Sequence, residues 1–111
     1  GAGLDPATDL GPVVSERQLA RITRLVAEGR ADGAEIVTGG ERAGDTGYFV
    51  EPTIISNTTA QMGVIREEVF GPVVAVMPLP SPPLTFAVPS PQFLVKRCKL
   101  TGNAPAVVLL Q

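Results

Sequence analysis

The stretch Arg66-Glu67-Glu68-Val69-Phe70-Gly71-Pro72-Val73 gathers the residues best suited to chemistry. A carboxylate can accept two hydrogen bonds, as a ribose diol would offer them, and an aromatic ring two residues on can pack against a flat heterocycle. Adjacent carboxylates point different ways on any regular backbone, so Glu67 and Glu68 are not an acid–base pair for one substrate. By residue type and spacing alone, the stretch reads as surface acids, a core Phe and a Gly-Pro turn. Cys98 is a second candidate, because Lys96, Arg97 and Lys99 around it favour a reactive thiolate. No acid or histidine lies near it in sequence, and it reads as an incidental thiol. The chain has no histidine at all, which excludes Ser-His-Asp and Cys-His arrangements within it. With a single cysteine, neither an internal disulfide nor a metal centre is expected. Gly1-Ala2-Gly3 lacks the third glycine, the preceding strand and the following helix of a dinucleotide fingerprint. The glycines from Gly39 to Gly47 lack the lysine and hydroxyl of a phosphate loop and read as a turn.

These residues need elements to hold them. Leu4-Asp5-Pro6 through Gly11-Pro12 reads as a loop. Ser15 is placed to cap a helix, and Gln18 three residues later completes a capping-box pattern. Leu19, Ile22, Leu25 and Val26 recur at helical spacing, while Arg17, Arg21 and Arg24 lie mainly off that stripe. The stripe predicts core packing rather than a partner-binding face. Gly29 and Gly33 mark the helix exit. A short strand over Glu35–Thr38 follows, then the glycine-rich turn. Tyr48-Phe49-Val50 and Thr53-Ile54-Ile55 read as extended segments on either side of Glu51-Pro52. Gly63–Val69 reads as a helical turn or loop, and the apolar run Val73–Met77 as a buried strand. A helix among strands predicts an α/β fold, as a piece of a sheet rather than a closed unit.

At 111 residues the chain suffices for one small domain, and 44% hydrophobic with 18% charged residues fits a soluble globular protein. No apolar stretch approaches the roughly 18 residues a membrane-spanning helix needs, and no leader is visible, so a cytoplasmic setting is expected. Gly1 in place of an initiator Met suggests that the sequence begins mid-protein. A net charge of −2 and the lack of a basic stripe argue against a nucleic-acid binder. Composition changes sharply along the chain. Residues 1–77 hold six arginines against eleven acids, net −5, whereas residues 78–111 hold two lysines, one arginine and no acid, net +3. Prolines divide four to seven and glycines eleven to one between the same segments. A single domain rarely changes acids, bases and turn residues at one point, which places a boundary near Met77–Pro80 and divides the chain into 1–78 and 79–111. The prolines from Pro78 to Pro91 argue for polyproline-like extension or disorder, with a short strand over Ala106–Leu110.

Met62-Gly63-Val64-Ile65-Arg66-Glu67-Glu68-Val69-Phe70-Gly71-Pro72-Val73 closely resembles a signature stretch of the NAD(P)-dependent aldehyde dehydrogenases. Leu4-Asp5-Pro6-Ala7-Thr8-Asp9-Leu10-Gly11-Pro12-Val13-Val14-Ser15 is similar to the loop before a helix of that family's catalytic domain. Gly33-Ala34-Glu35-Ile36-Val37-Thr38-Gly39-Gly40 and Gly47-Tyr48-Phe49-Val50-Glu51-Pro52-Thr53 resemble two more family phrases in the expected order. Together these blocks cover residues 3–77.

The resemblance implies a partial aldehyde-dehydrogenase-like catalytic domain followed by an irregular Pro-rich tail. It implies oxidation of an aldehyde to a carboxylic acid by thiolate attack, hydride transfer to NAD or NADP, and thioester hydrolysis. By the same resemblance Glu68 hydrogen-bonds the nicotinamide-side ribose and Phe70 lies against that part of the cofactor, with Glu67, Gly71 and Pro72 as support. The family's nucleophilic Cys, general-base Glu, oxyanion Asn and adenosine-binding domain would lie upstream of Gly1, leaving no catalytic residue in this chain. The implied partners are an aldehyde substrate and further copies of a complete parent chain, with neither nucleic acid nor membrane. From Leu79 onward the family pattern is lost, as a frameshift, a retained intron or an assembly error would produce. The alternative reading is a non-catalytic remnant or a protein-interaction module; Pro80-Ser81-Pro82-Pro83 has the spacing of a proline-rich ligand.

Overall fold

A computed structural model describes residues 1–78, 94–98 and 106–110. The first regular element is helix α1, Glu16–Ala31. Ser15 caps it in an extended conformation, and its hydroxyl oxygen accepts a hydrogen bond from the Gln18 N–H at 3.2 Å. Leu19, Ile22, Leu25 and Val26 are buried as their spacing requires. Ile22 and Leu25 are completely enclosed, and burying a side chain of that size stabilises by about 1.5–3 kcal/mol. Asp32 ends the helix and Gly33 follows at φ +99°, a conformation glycine adopts without steric cost. Gly29, expected at the exit, instead lies inside the helix and is buried. A Cβ there would stand 2.9 Å from Val64 Cγ1. It packs directly against Val64 of a second helix, α2 (Gly63–Arg66).

The strands are β1 (Glu35–Thr38), β2 (Thr53–Ser56), β3 (Val73–Pro78), β4 (Leu94–Cys98) and β5 (Ala106–Leu110). They form one sheet in the order β1-β2-β3-β5-β4. β1 runs antiparallel to β2 with Ile36 opposite Ile55 and a register shift between Ile36 and Thr38. β2 and β3 are parallel, with Thr53, Ile54 and Ile55 opposite Val73, Val74 and Ala75. β5 runs antiparallel to both β3 and β4. Thr53, Ile55, Val73 and Ala75 are buried, whereas Ile54 is exposed on the opposite face. That alternation follows from the two-residue period of a strand. Ile55 and Val73 join the α1 stripe, Met62, Val64 and Val69 in one hydrophobic core.

Tyr48-Phe49-Val50, read as an extended segment, belongs to none of these strands. Only Val50 bridges, to Arg42, with the Ala43 N–H donating to the Phe49 carbonyl and the Glu51 N–H to the Glu41 carbonyl. Gly44 and Gly47, both at positive φ, lie in the turn between the paired residues Ala43 and Phe49. The apolar run Ala106–Leu110 forms the strand anticipated for it, and β4 falls in the proline-free interval between Pro91 and Pro105. The expected polyproline-like stretch lies outside the described residues except for Pro78, which ends β3. Among the described residues, no helix is long and apolar enough to cross a membrane.

Candidate functional site

The α1 helix positions the segment that joins α2 to β3. The Arg21 guanidinium donates through Nη1 to the Glu68 carbonyl and, at 3.4 Å, to the Val69 carbonyl. Gln18 Nε2 donates to that same Val69 carbonyl at 3.1 Å. Gln18 therefore makes only half of the expected capping box: its backbone serves the cap, and its side chain reaches 51 residues along the chain. Val69 is inserted into the core at 1% exposure. This anchor and the donors above it hold the backbone of residues 68 and 69 against the helix.

The neighbouring carboxylates are treated differently. Glu67 Oε2 pairs with Arg21 at 3.3 Å and approaches Arg24 at 4.0 Å. Arg24 also pairs with Glu28 at 2.7 Å, one helical turn away. The hydrogen bond that Arg24 donates to the Glu28 carboxylate, reinforced by the negative charge there, raises the Arg24 guanidinium above its ordinary pKa. Glu68 is half-buried, and its carboxylate has no hydrogen bond or ion pair among the described residues.

Phe70 is not a core residue. Its backbone stands at φ +61°, and the residue is 50% exposed. Val69 takes the core position, and the left-handed backbone at Phe70 turns the ring away from it. Non-glycine residues rarely occupy this region and cost free energy there, so such conformations concentrate at functional sites. Gly71 continues the turn at φ +78°, where a Cβ would stand 2.8 Å from Ile22 Cδ1. Phe70, Gly71 and Pro72 line an open, largely apolar groove of about 490 Å³ with Leu10, Gly11, Pro12, Val13, Val14 and Gln18. The N-terminal loop and Gln18 near the helix start thus meet the Phe70–Pro72 turn around this concavity. Local sequence marked Glu68 and Phe70 but not Gln18 or Arg21, whose partners lie 47 to 51 residues away.

Residues 1–82 match the family model described as "Aldehyde dehydrogenase family". An aldehyde dehydrogenase of Enchytraeus buchholzi is 48% identical over 73 residues, covering 66% of this chain and 15% of that protein. Human retinal dehydrogenase 2 is 40% identical over 77 residues, covering 69% of this chain and 15% of its own length. Among solved structures, an NAD+ complex of aldehyde dehydrogenase from Bacillus cereus superposes with a TM-score of 0.70 at 44% identity, covering 74% of this chain and 17% of that one. Betaine aldehyde dehydrogenase from Staphylococcus aureus, also with NAD+, gives a TM-score of 0.63 at 40% identity, covering 68% of this chain and 16% of its own. The chain spans about 15% of the length of the curated relatives it matches. Over that span both sequence and fold agree, and the chain belongs to the aldehyde dehydrogenase family.

Proposed function

We propose that these residues supply the grip on the nicotinamide-side ribose in an NAD(P)-dependent aldehyde dehydrogenase that converts an aldehyde to a carboxylic acid. In this reading the Glu68 carboxylate accepts hydrogen bonds from the ribose hydroxyls, and the Phe70 ring packs beside them. The observation that carries it is the contrast between adjacent acids: Glu67 is tied to α1, while Glu68 keeps its acceptors unengaged among the described residues. Beside it, an aromatic ring is held outward on a left-handed backbone. A half-buried, acceptor-only group next to an exposed aromatic face suits a sugar diol joined to a flat ring. When bound, NAD(P) accepts the hydride that leaves the substrate.

What these side chains contribute is position. Displacement of reacting groups by about 1 Å can cost roughly 100-fold in rate, so a fixed carboxylate and a ring that limits sliding both act on the hydride-transfer step. Arg21 and Gln18 hold the backbone that carries them. The only cysteine, Cys98, stands on β4, beyond the family match. The nucleophilic thiolate is therefore proposed to come from a longer parent chain.

The test replaces the matched segment of the Bacillus cereus enzyme with residues 1–78 and follows single-turnover NADH formation with a deuterated aldehyde. Glu68→Gln keeps the shape but weakens charge-assisted acceptance by about 1–2 kcal/mol, so hydride transfer should slow on the order of tenfold with an unchanged melting temperature. An unaltered hydride-transfer rate in Glu68→Gln would show that the carboxylate does not position the cofactor.

A further inference from the structure

The β3 strand, Val73–Pro78, is an apolar strand whose β2 side is paired within the family-matching part of the chain. Its other edge is paired by β5 over five positions, from Val74 opposite Leu110 to Pro78 opposite Ala106. β5 and its neighbour β4 both lie beyond residue 82, where the family match ends. The edge is thus closed by a segment from outside the family-like part. We infer that the β4–β5 hairpin is a built-in edge cap, which keeps β3 from taking a strand of a second copy of this chain.

Four observations support this inference. An open, flat, apolar strand without charges is a template for intermolecular pairing, and β3 has that composition. Among the described residues, the cap moves the outer edge of the sheet to β4, Leu94-Val95-Lys96-Arg97-Cys98, whose sequence includes adjacent cations; charged residues on an edge strand disfavour further strand addition. The opposite edge is blunted too: β1 has four residues, begins with Glu35 and shifts register between Ile36 and Thr38. Charge also favours capping in cis. The hairpin-bearing segment 78–111 carries +3 and the body 1–77 carries −5, so the two attract, whereas two copies of the body repel.

The test uses the full chain and a double variant, Val107→Pro/Val108→Pro. Successive N–H groups point to opposite sides of a strand, so the two prolines remove donors from both ladders of β5. Val107→Thr/Val108→Thr keeps the donors and the β-propensity. Amide hydrogen exchange is read at Val74–Met77, with Leu19–Val26 of α1 as an internal reference, and sedimentation reports the oligomeric state. The wild-type chain and the Thr variant are expected to be monomeric with protected β3 amides. The Pro variant is expected to keep α1 protected, to exchange roughly tenfold or more faster in β3, and to self-associate. Unchanged β3 protection in the Pro variant, or a wild-type chain that already self-associates through β3, would overturn the inference. So would loss of α1 protection together with β3, because the hairpin would then be part of the core rather than an edge cap.

Discussion

At the residue scale, Arg21 joins two kinds of interaction whose energies differ. Its bonds to the Glu68 and Val69 carbonyls satisfy backbone acceptors beside a buried side chain, whereas its pairing with Glu67 involves a carboxylate that is 48% exposed. Half-exposed ion pairs contribute little, because water and salt screen them. Arg21→Met is therefore expected to lower stability by about 1–2 kcal/mol, and Glu67→Gln by clearly less, in urea titrations of the same chain. Equal losses would mean that the ion pair is the important contact. Phe70 and Val69 separate in a similar way. Phe70→Gly relieves the left-handed strain but loosens the unfolded chain, and these effects offset to within about 1 kcal/mol. Val69→Ala, one position away and almost fully enclosed, is expected to cost about 2 kcal/mol by leaving a cavity. A large destabilisation from Phe70→Gly would show the ring to be structural.

At the element scale, α1 both caps itself and carries the site. Ser15→Ala removes the side-chain acceptor for the Gln18 N–H and is expected to cost about 1 kcal/mol, seen as a lower urea midpoint. The frayed first turn would also release Gln18 from the Val69 carbonyl, so exchange should quicken at Val69 as well as at the helix start. The contact between α1 and α2 gives a second prediction. An Ala at position 29 gains helix propensity but drives its Cβ to 2.9 Å from the enclosed Val64 side chain. Gly29→Ala should therefore destabilise, and Gly29→Ala/Val64→Ala should cost less than the sum of the two single changes. Simple additivity in that double-mutant cycle would remove the claim that Gly29 is required by close helix approach.

At the scale of the whole molecule, the helices and the sheet are joined around the family-matching residues 1–82, which contain no cysteine. Purified alone, the chain is expected to form no NAD(P)H with any aldehyde, because missing covalent chemistry removes orders of magnitude in rate. Spectrophotometric assay at 340 nm checks this, and turnover abolished by Cys98→Ser would contradict it. The open sheet face adds a physical constraint. Val37 and Ile54 are 57% and 41% exposed, yet parallel pairs such as β2–β3 are ordinarily covered on both faces.

By itself, the sequence determined what depends on neighbours along the chain. The Ser15 cap, the Leu19–Val26 stripe, the strands at Glu35–Thr38, Thr53 and Val73, and the positive-φ turn at Gly33 all arise from spacing of a few residues. The four family-like blocks were legible for the same reason, since each is a contiguous phrase. Tertiary structure alone decided the rest. Gly29 reads locally as a stop signal but serves as a contact, because Val64, 35 positions away, occupies the space a side chain would need. Phe70 reads as core, yet it is Val69 that enters the core, because the left-handed turn into β3 turns the ring outward. Gln18 and Arg21 became parts of the site only when α1 packed across the Glu68–Val69 backbone. No local pattern encodes a hydrogen bond to a carbonyl some fifty residues distant.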